Sequence, residues 1–98
     1  MTLRWAATAR ADYMDYLRYL RRVAPESARR AAADVESESA RLEKQPFTAR
    51  PSRWPGMREW SLLRWKKIIV FRIDPGEIVI LGFVDARRNL SAFNPKDD

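Results

Sequence analysis

The distribution of proline and glycine constrains the fold more than any other feature of this sequence. Five of the six prolines and all three glycines lie at Pro46 or later, whereas residues 1–45 contain only Pro25. Both residue types interrupt helices, so long helices are confined to the first half and the second half is left to loops and strands. No repeat or low-complexity linker separates the halves. We therefore expect a single domain over residues 1–98.

Two amphipathic helices are predicted before Pro46. Thr8 is a candidate N-cap for the first helix. Pro25 ends that helix, because proline disfavours helical geometry in the residue before it, and it suits the first turn of the next helix. The apolar stripes that define the two helices at helical spacing are Tyr13, Tyr16, Leu17 and Leu20 in the first, and Ala28, Ala31, Ala32, Val35, Ser39 and Leu42 in the second. They predict an antiparallel helical hairpin.

The remaining segments are typical of strands and loops. Leu3-Arg4-Trp5 alternates as a short strand does, and the prolines and glycine of residues 46–56 predict a loop without regular structure. Residues 57–63, 66–74 and 77–84 are strand candidates, and Asp74-Pro75-Gly76 is a turn signal between the last two. The pattern predicts an α+β fold in which an N-terminal strand and a two-helix hairpin pack on an antiparallel sheet of about four strands. We expect residues 91–98 to fray.

The composition narrows the chemistry that the chain can perform. It contains no cysteine and no histidine, which excludes disulfides, thiolate nucleophiles and the usual general base near neutral pH. A zinc site built only from carboxylates would be unusual, so we expect neither a metal nor a small-molecule cofactor. The net charge of +6 favours anionic partners such as nucleic acid or an acidic protein segment.

The location of the protein is also constrained by its apolar segments. No run approaches the roughly 18 apolar residues of a membrane span, and Arg4, Arg10 and Asp12 interrupt any signal-peptide core at the N-terminus. The sequence predicts a cytoplasmic protein without a membrane partner.

Basic residues cluster in the second half of the chain, interleaved with tryptophans. One interpretation is a basic, aromatic surface for nucleic acid or for an enzyme that acts on it. The alternative is a charged sheet face with the tryptophans packed in the core. The cluster consists of Arg50, Arg53, Arg58, Arg64, Lys66 and Lys67 with Trp54, Trp60 and Trp65. A second group, Arg87 and Arg88, ends the last predicted strand and is either functional or a solvated strand end. In the second helix, Asp34 and Glu38 are predicted to form a solvated, salt-bridged face.

The order of motifs from Gly56 to Leu90 resembles the RelE/ParE superfamily of type II toxins. The motifs are Gly56 and Arg58 in a Gly-x-Arg opening, the step Phe71-Arg72-Ile73, and Arg88-Asn89-Leu90 closing the last strand. The preceding strand, helical hairpin and proline-rich loop extend the resemblance over nearly the whole chain. It implies a toxin that is bound and neutralised by an antitoxin.

The resemblance implies one of two activities. RelE-like members cut mRNA in the ribosomal A site with basic residues and often a tyrosine, whereas ParE-like members poison DNA gyrase. Arg58 and Arg88 fall on two positions of the ribonuclease set. Other positions depart from it: Trp60 and Ile68 stand where basic residues are expected, and Phe93-Asn94 where the tyrosine would be. Lys66, Lys67 or Arg64 are possible substitutes. Asp85 takes the place of a histidine found in many ParE-like chains.

We accordingly expect this chain to be the toxin of a plasmid-stabilisation system and to inhibit DNA gyrase without catalysis. The predicted target- or nucleic-acid-binding residues are Arg58, Arg64, Lys66, Lys67, Arg87 and Arg88. The predicted partner besides gyrase is a cognate antitoxin with an acidic or amphipathic segment. Two alternatives remain open: a RelE-like endoribonuclease acting on ribosome-bound mRNA through Arg58, Lys66 and Arg88, and a non-toxic binding module.

Overall fold

The computed structural model describes all 98 residues and confirms the predicted α+β class. Its elements are β1 (Thr2–Trp5), α1 (Ala7–Val23), α2 (Pro25–Lys44), β2 (Arg50–Pro51), β3 (Arg58–Leu62), β4 (Lys67–Asp74) and β5 (Glu77–Asp85), with 3₁₀ turns at Pro46–Thr48 and Leu63–Trp65. The two helices meet at Pro25 as predicted. Neither helix combines the length and apolar composition that a bilayer-spanning helix requires.

The five strands form one mixed sheet in the order β1-β5-β4-β3-β2. The predicted hairpin is the antiparallel β4–β5 pair, whose turn contains Gly76 at a φ of 72°, a backbone conformation that glycine adopts without steric cost. In contrast to the prediction, β1 lies parallel to β5. The long connection through both helices permits either direction, and the parallel register places Leu3 and Trp5 against the helix-covered core.

Two local predictions were wrong. α1 begins at Ala7 after the extended residue Ala6, and no side chain caps it. Thr8 lies within its first turn instead. Residues 46–56 are not entirely irregular, because they contain the first 3₁₀ turn and β2, which pairs with the start of β3. That pairing covers only two residues, and Pro51 has no N–H with which to extend it.

Both faces of the sheet are covered. The helices cover one face, where Ile69, Phe71, Ile78, Ile80 and Phe83 pack with Val35 and Leu42. The loop before β3 and the C-terminal segment cover the other, where Trp54, Met57, Leu90 and Phe93 pack on Ile68, Val70 and Val84. Gly82 permits the closest contact there: a Cβ at this position would lie 2.5 Å from the ring of Phe93.

The C-terminal segment has no helix or strand, but its acidic end contacts the start of the chain. Asp97 accepts hydrogen bonds from the Arg4 guanidinium at 2.8 and 2.9 Å and from Arg72 at 3.3 Å. Asp98 accepts a hydrogen bond from the backbone N–H of Thr8 at 3.0 Å and another from its hydroxyl. These contacts place the two ends of the chain side by side. Fraying of residues 91–98 stays a prediction.

Candidate partner-binding surfaces

Four of the predicted site residues lie together at one end of the sheet, because β4 begins where β5 ends. Lys67 stands opposite Asp85 in the β4–β5 register. Lys66 occupies the turn before it at a φ of 54°, and its carbonyl accepts a hydrogen bond from Ala86 N–H at 2.9 Å. Arg87 and Arg88 follow directly. We call these four cations, Lys66, Lys67, Arg87 and Arg88, the basic end.

Arg64 is close to the basic end in sequence but faces α2. Its guanidinium lies 3.5 Å from the Asp34 carboxylate. The same carboxylate accepts a 2.8 Å hydrogen bond from the indole of Trp65, and Glu38 accepts one from Trp60 at 3.3 Å. Asp34 and Glu38 therefore do more than form a solvated, salt-bridged face of α2, because they also hold two tryptophans between this helix and the sheet.

Arg58 lies away from the basic end. It stands opposite Phe71, whereas Leu62 stands opposite Lys67. Four residues of strand separate the two positions by roughly 13 Å. The guanidinium donates a 2.8 Å hydrogen bond to the carbonyl of Ala49 and lies 5.4 Å from the ring centroid of Phe47. The structure thus brings Lys66 and Arg88 to one end of the sheet but does not bring Arg58 to them.

Arg50 and Arg53 surround a buried carboxylate that the sequence did not single out as a site. Glu59 is 4% exposed. Its oxygens accept hydrogen bonds from Arg50 at 3.1 Å, from the Ser52 hydroxyl at 2.9 Å and from Arg53 N–H at 3.3 Å. Burial acts to raise the pKa of this carboxyl, but the hydrogen bonds from Ser52 and Arg53 outweigh it and leave the pKa lowered. The two arginines hold the loop to the sheet.

A cleft of about 670 Å³ lies between α1 and the basic end. At its base, the Lys67 ammonium lies 4.6 Å from the ring centroid of Tyr16 and 5.6 Å from that of Phe83. The remaining residues that line this Lys67 cleft are Asp12, Asp15, Tyr19, Val84, Asp85, Arg87, Arg88, Asn89, Leu90 and Phe93.

The surroundings of Lys67 shift its pKa. Partial burial lowers the pKa of the ammonium below its ordinary value, because desolvation penalises the charged form. The guanidinium groups of Arg88 and Arg87 lower this pKa further, whereas the carboxylates of Asp85 and Asp12 act in the opposite direction. A carboxylate within ion-pair distance would stabilise the charged form of this ammonium.

Asp85 forms its ion pair with Arg87, although its charge also acts on Lys67 from a greater distance. It accepts hydrogen bonds from the Arg87 backbone N–H at 2.9 Å and from its guanidinium at 3.0 and 3.1 Å. The guanidinium and then the backbone N–H lower the pKa of Asp85 to about 2. Arg88, in contrast, is exposed and forms no ion pair within the chain. Lys67 and Arg88 are therefore the cations that this cleft offers to a ligand.

A second, more apolar cleft of about 470 Å³ lies between α1 and α2. The small residues of α2 keep it open, and the Ser39 hydroxyl within it is buried without a hydrogen-bond partner. Its lining is Trp5, Arg10, Tyr13, Met14, Ala32, Val35, Glu36, Ser39, Ala40 and Glu43. We call it the interhelical cleft.

Sequence reasoning missed the residues that complete the Lys67 cleft. Tyr16 belongs to the apolar stripe of α1 and was interpreted as packing alone. Phe83 was interpreted only as part of a strand, and Asp12 received no role. Helical spacing shows that Tyr16 faces inward, but only the packing of α1 on the sheet places it over Lys67.

The chain is similar to known proteins in both sequence and fold. A protein-family model described as "ParE toxin of type II toxin-antitoxin system, parDE" matches residues 3–90. A solved structure titled "Chromosomal ParDE TA system from P. aeruginosa" contains a similar chain, with a TM-score of 0.80 and 30% sequence identity. The match covers 89% of this chain and 97% of that one. No curated protein matches the sequence significantly. The chain belongs to the ParE toxin family of type II toxin–antitoxin systems.

Proposed function

We propose that this protein is a cytoplasmic toxin that is neutralised by a cognate antitoxin, stabilises the plasmid or chromosomal segment that encodes it, and inhibits DNA gyrase without catalysis. Family membership supports the toxin role. The observation that carries the non-catalytic mechanism is the separation of Arg58 from Lys66 and Arg88. It leaves a basic binding surface without an assembled set of the three predicted catalytic residues.

The interhelical cleft is the antitoxin site in this proposal. An amphipathic helix places its apolar face in such a groove, where Trp5, Tyr13 and Met14 would meet it. The net charge of +6 favours an acidic partner segment.

Two exposed alanines of α2 test this assignment. Ala40 lines the interhelical cleft, whereas Ala33 lies outside it. With Ala40→Glu, we expect the co-expressed antitoxin to lose its ability to restore growth, because the carboxylate is desolvated in the groove and repels an acidic partner. With Ala33→Glu, rescue should persist. Equal rescue of both variants would contradict the assignment.

The basic end is the gyrase-contacting surface in this proposal. Purified protein should abolish gyrase supercoiling, and Lys66→Glu or Arg88→Glu should restore it, because both side chains are exposed and meet the target directly. Arg30→Glu is the matched control, since Arg30 is also exposed but lies on α2. Normal supercoiling in the presence of toxin that still arrests growth would refute gyrase as the target.

A specific observation favours the ribonuclease as a second candidate. The lowered pKa of Lys67 beside Arg88 is the property that acid–base catalysis by a lysine requires. Ribosome-dependent mRNA cleavage that is lost in Lys67→Met and retained in Arg58→Ala would establish this activity with a revised residue set. If expression causes no growth arrest at all, the protein is a non-toxic binding module.

A further inference from the structure

The ammonium of Lys67 lies in the Lys67 cleft, and no carboxylate approaches it to ion-pair distance. Its Nζ donates no hydrogen bond and forms no ion pair within the chain, while two aromatic rings lie beside it. Such rings compensate only part of the lost hydration of a cation. The Lys67 ammonium is therefore an incomplete anion site. One negatively charged group of a ligand would supply the ion-pair partner that the chain itself does not provide.

The nearby carboxylates do not complete this site. Asp85 is committed to the backbone N–H and guanidinium of Arg87. On the opposite wall, Asp15 pairs with Arg18 on the surface of α1. Asp12 carries a free carboxylate that lies beyond ion-pair distance of Lys67. The cleft thus has three cations and the paired Asp85 on its sheet wall, and the carboxylates of Asp12 and Asp15 on its helix wall.

This arrangement of charge selects the kind of ligand. A nucleic-acid backbone carries a negative charge at every nucleotide, so a strand lying along the cleft would meet the unpaired carboxylate of Asp12 as well as the cations. A single carboxylate on a protein segment can pair with Lys67 without placing a second negative charge against the helix wall. The volume of about 670 Å³ leaves room for a single side chain in this open cleft, and Phe83, Leu90 and Phe93 add apolar contacts.

We propose that the Lys67 cleft binds one acidic side chain of a protein partner, whose carboxylate pairs with the Lys67 ammonium. The site is distinct from the interhelical cleft, since the two are lined by different residues on either side of α1. The proposal rests on the proposed function only in that the partner is a protein, and it is independent of gyrase as the target.

The chain is suited to a direct test, because it has only four lysines, Lys44, Lys66, Lys67 and Lys96. Full-length protein labelled at the lysine ¹³Cε is titrated with a blocked Leu-Glu-Leu peptide, with its Leu-Gln-Leu counterpart and with a thymidine tetranucleotide. We expect the Glu peptide to shift the Lys67 signal several-fold more than the other three, and the Gln peptide to leave it in place. Lys66 is the internal control, being its exposed neighbour.

Three outcomes overturn the proposal. These are no shift at Lys67 with the Glu peptide, equal shifts at all four lysines, and a Lys67 shift with the tetranucleotide alone, which would assign the cleft to nucleic acid. The supercoiling assay on the same protein separates these results from the proposed function. A toxin that inhibits gyrase but shows no Lys67 shift refutes the carboxylate site and leaves the gyrase proposal standing.

Discussion

Replacement of Gly82 by alanine should change the stability of the protein in opposite directions, depending on whether Phe93 is present. In the wild-type background, the new Cβ would lie 2.5 Å from Cζ and 3.1 Å from Cε2 of the Phe93 ring. The ring must then leave its place against Trp54, whose centroid is 5.1 Å away. Because Phe93 lies in a segment without helix or strand, its displacement is the easiest way to relieve the clash.

The magnitude follows from burial. Full burial of a phenylalanine contributes about 1.5–3 kcal/mol, and Phe93 is half-buried, so its displacement costs about 1–1.5 kcal/mol. Crowding of the strands against the displaced ring adds to this cost. Alanine in place of a strand glycine recovers about 0.5–1 kcal/mol. We expect Gly82→Ala to lower the free energy of unfolding by about 1 kcal/mol, or the melting temperature by about 4–8 °C.

In the Phe93→Ala background the clash is absent, and Gly82→Ala should stabilise the protein by about 0.5–1 kcal/mol. Urea unfolding of the four proteins, followed by tryptophan fluorescence, gives the coupling between the two sites. We expect about 1.5–2 kcal/mol, within the range for residues in contact. If Gly82→Ala has the same effect in both backgrounds, Phe93 does not pack on Gly82 and the reasoning is refuted.

Three further predictions concern titratable groups. Glu59→Gln should lower the free energy of unfolding in urea by about 2 kcal/mol, since it weakens several hydrogen bonds to a charged group; a smaller loss than in the exposed control Glu43→Gln would contradict this. Asp85 has its pKa lowered from 3.8 to about 2, so its stabilisation is complete above pH 3.8 and is lost as the pH falls toward 2. Thermal unfolding across that range should therefore depend less steeply on pH in Asp85→Asn. Lys67→Met should raise the melting temperature at neutral pH, because it removes a partly desolvated ammonium. The lowered pKa of Lys67 also makes wild-type stability rise as the pH approaches 10.5 from below, and calorimetry should show no such rise in the variant.

Local sequence signals were sufficient for the helical hairpin and the last β-hairpin. Pro25 both ends α1 and begins α2, and Asp74-Pro75-Gly76 sets the turn between β4 and β5. Both hairpins depend on residues that are close in sequence, so local patterns could predict them. The parallel pairing of β1 with β5 depends on residues at opposite ends of the chain, and no local pattern encodes it.

The candidate site was harder to predict, because a single extra residue in β5 decides it. From the turn as far as Phe71 and Ile80, the residues of β4 and β5 pair one to one. Beyond that point the register shifts by one residue, so that Lys67 pairs with Asp85. A shift of one residue reverses the face of every later side chain. It turns Phe83 and Asp85 toward the helices, where they meet Lys67. Proximity in sequence likewise failed to predict the partner of Arg50 and Arg53, because the buried Glu59 that they surround lies in β3.

The pairing of residues 2–5 with residues 77–80 has a consequence for biosynthesis. The first strand leaves the ribosome early but has no neighbour until the last strand has also emerged. Closing so long a loop is slow, and the apolar face of the helical hairpin stays uncovered meanwhile. Arg87 and Arg88 follow β5 directly, so the surface proposed to harm the cell is assembled only after this strand has been translated. An antitoxin that is already present can bind the toxin during this step of folding.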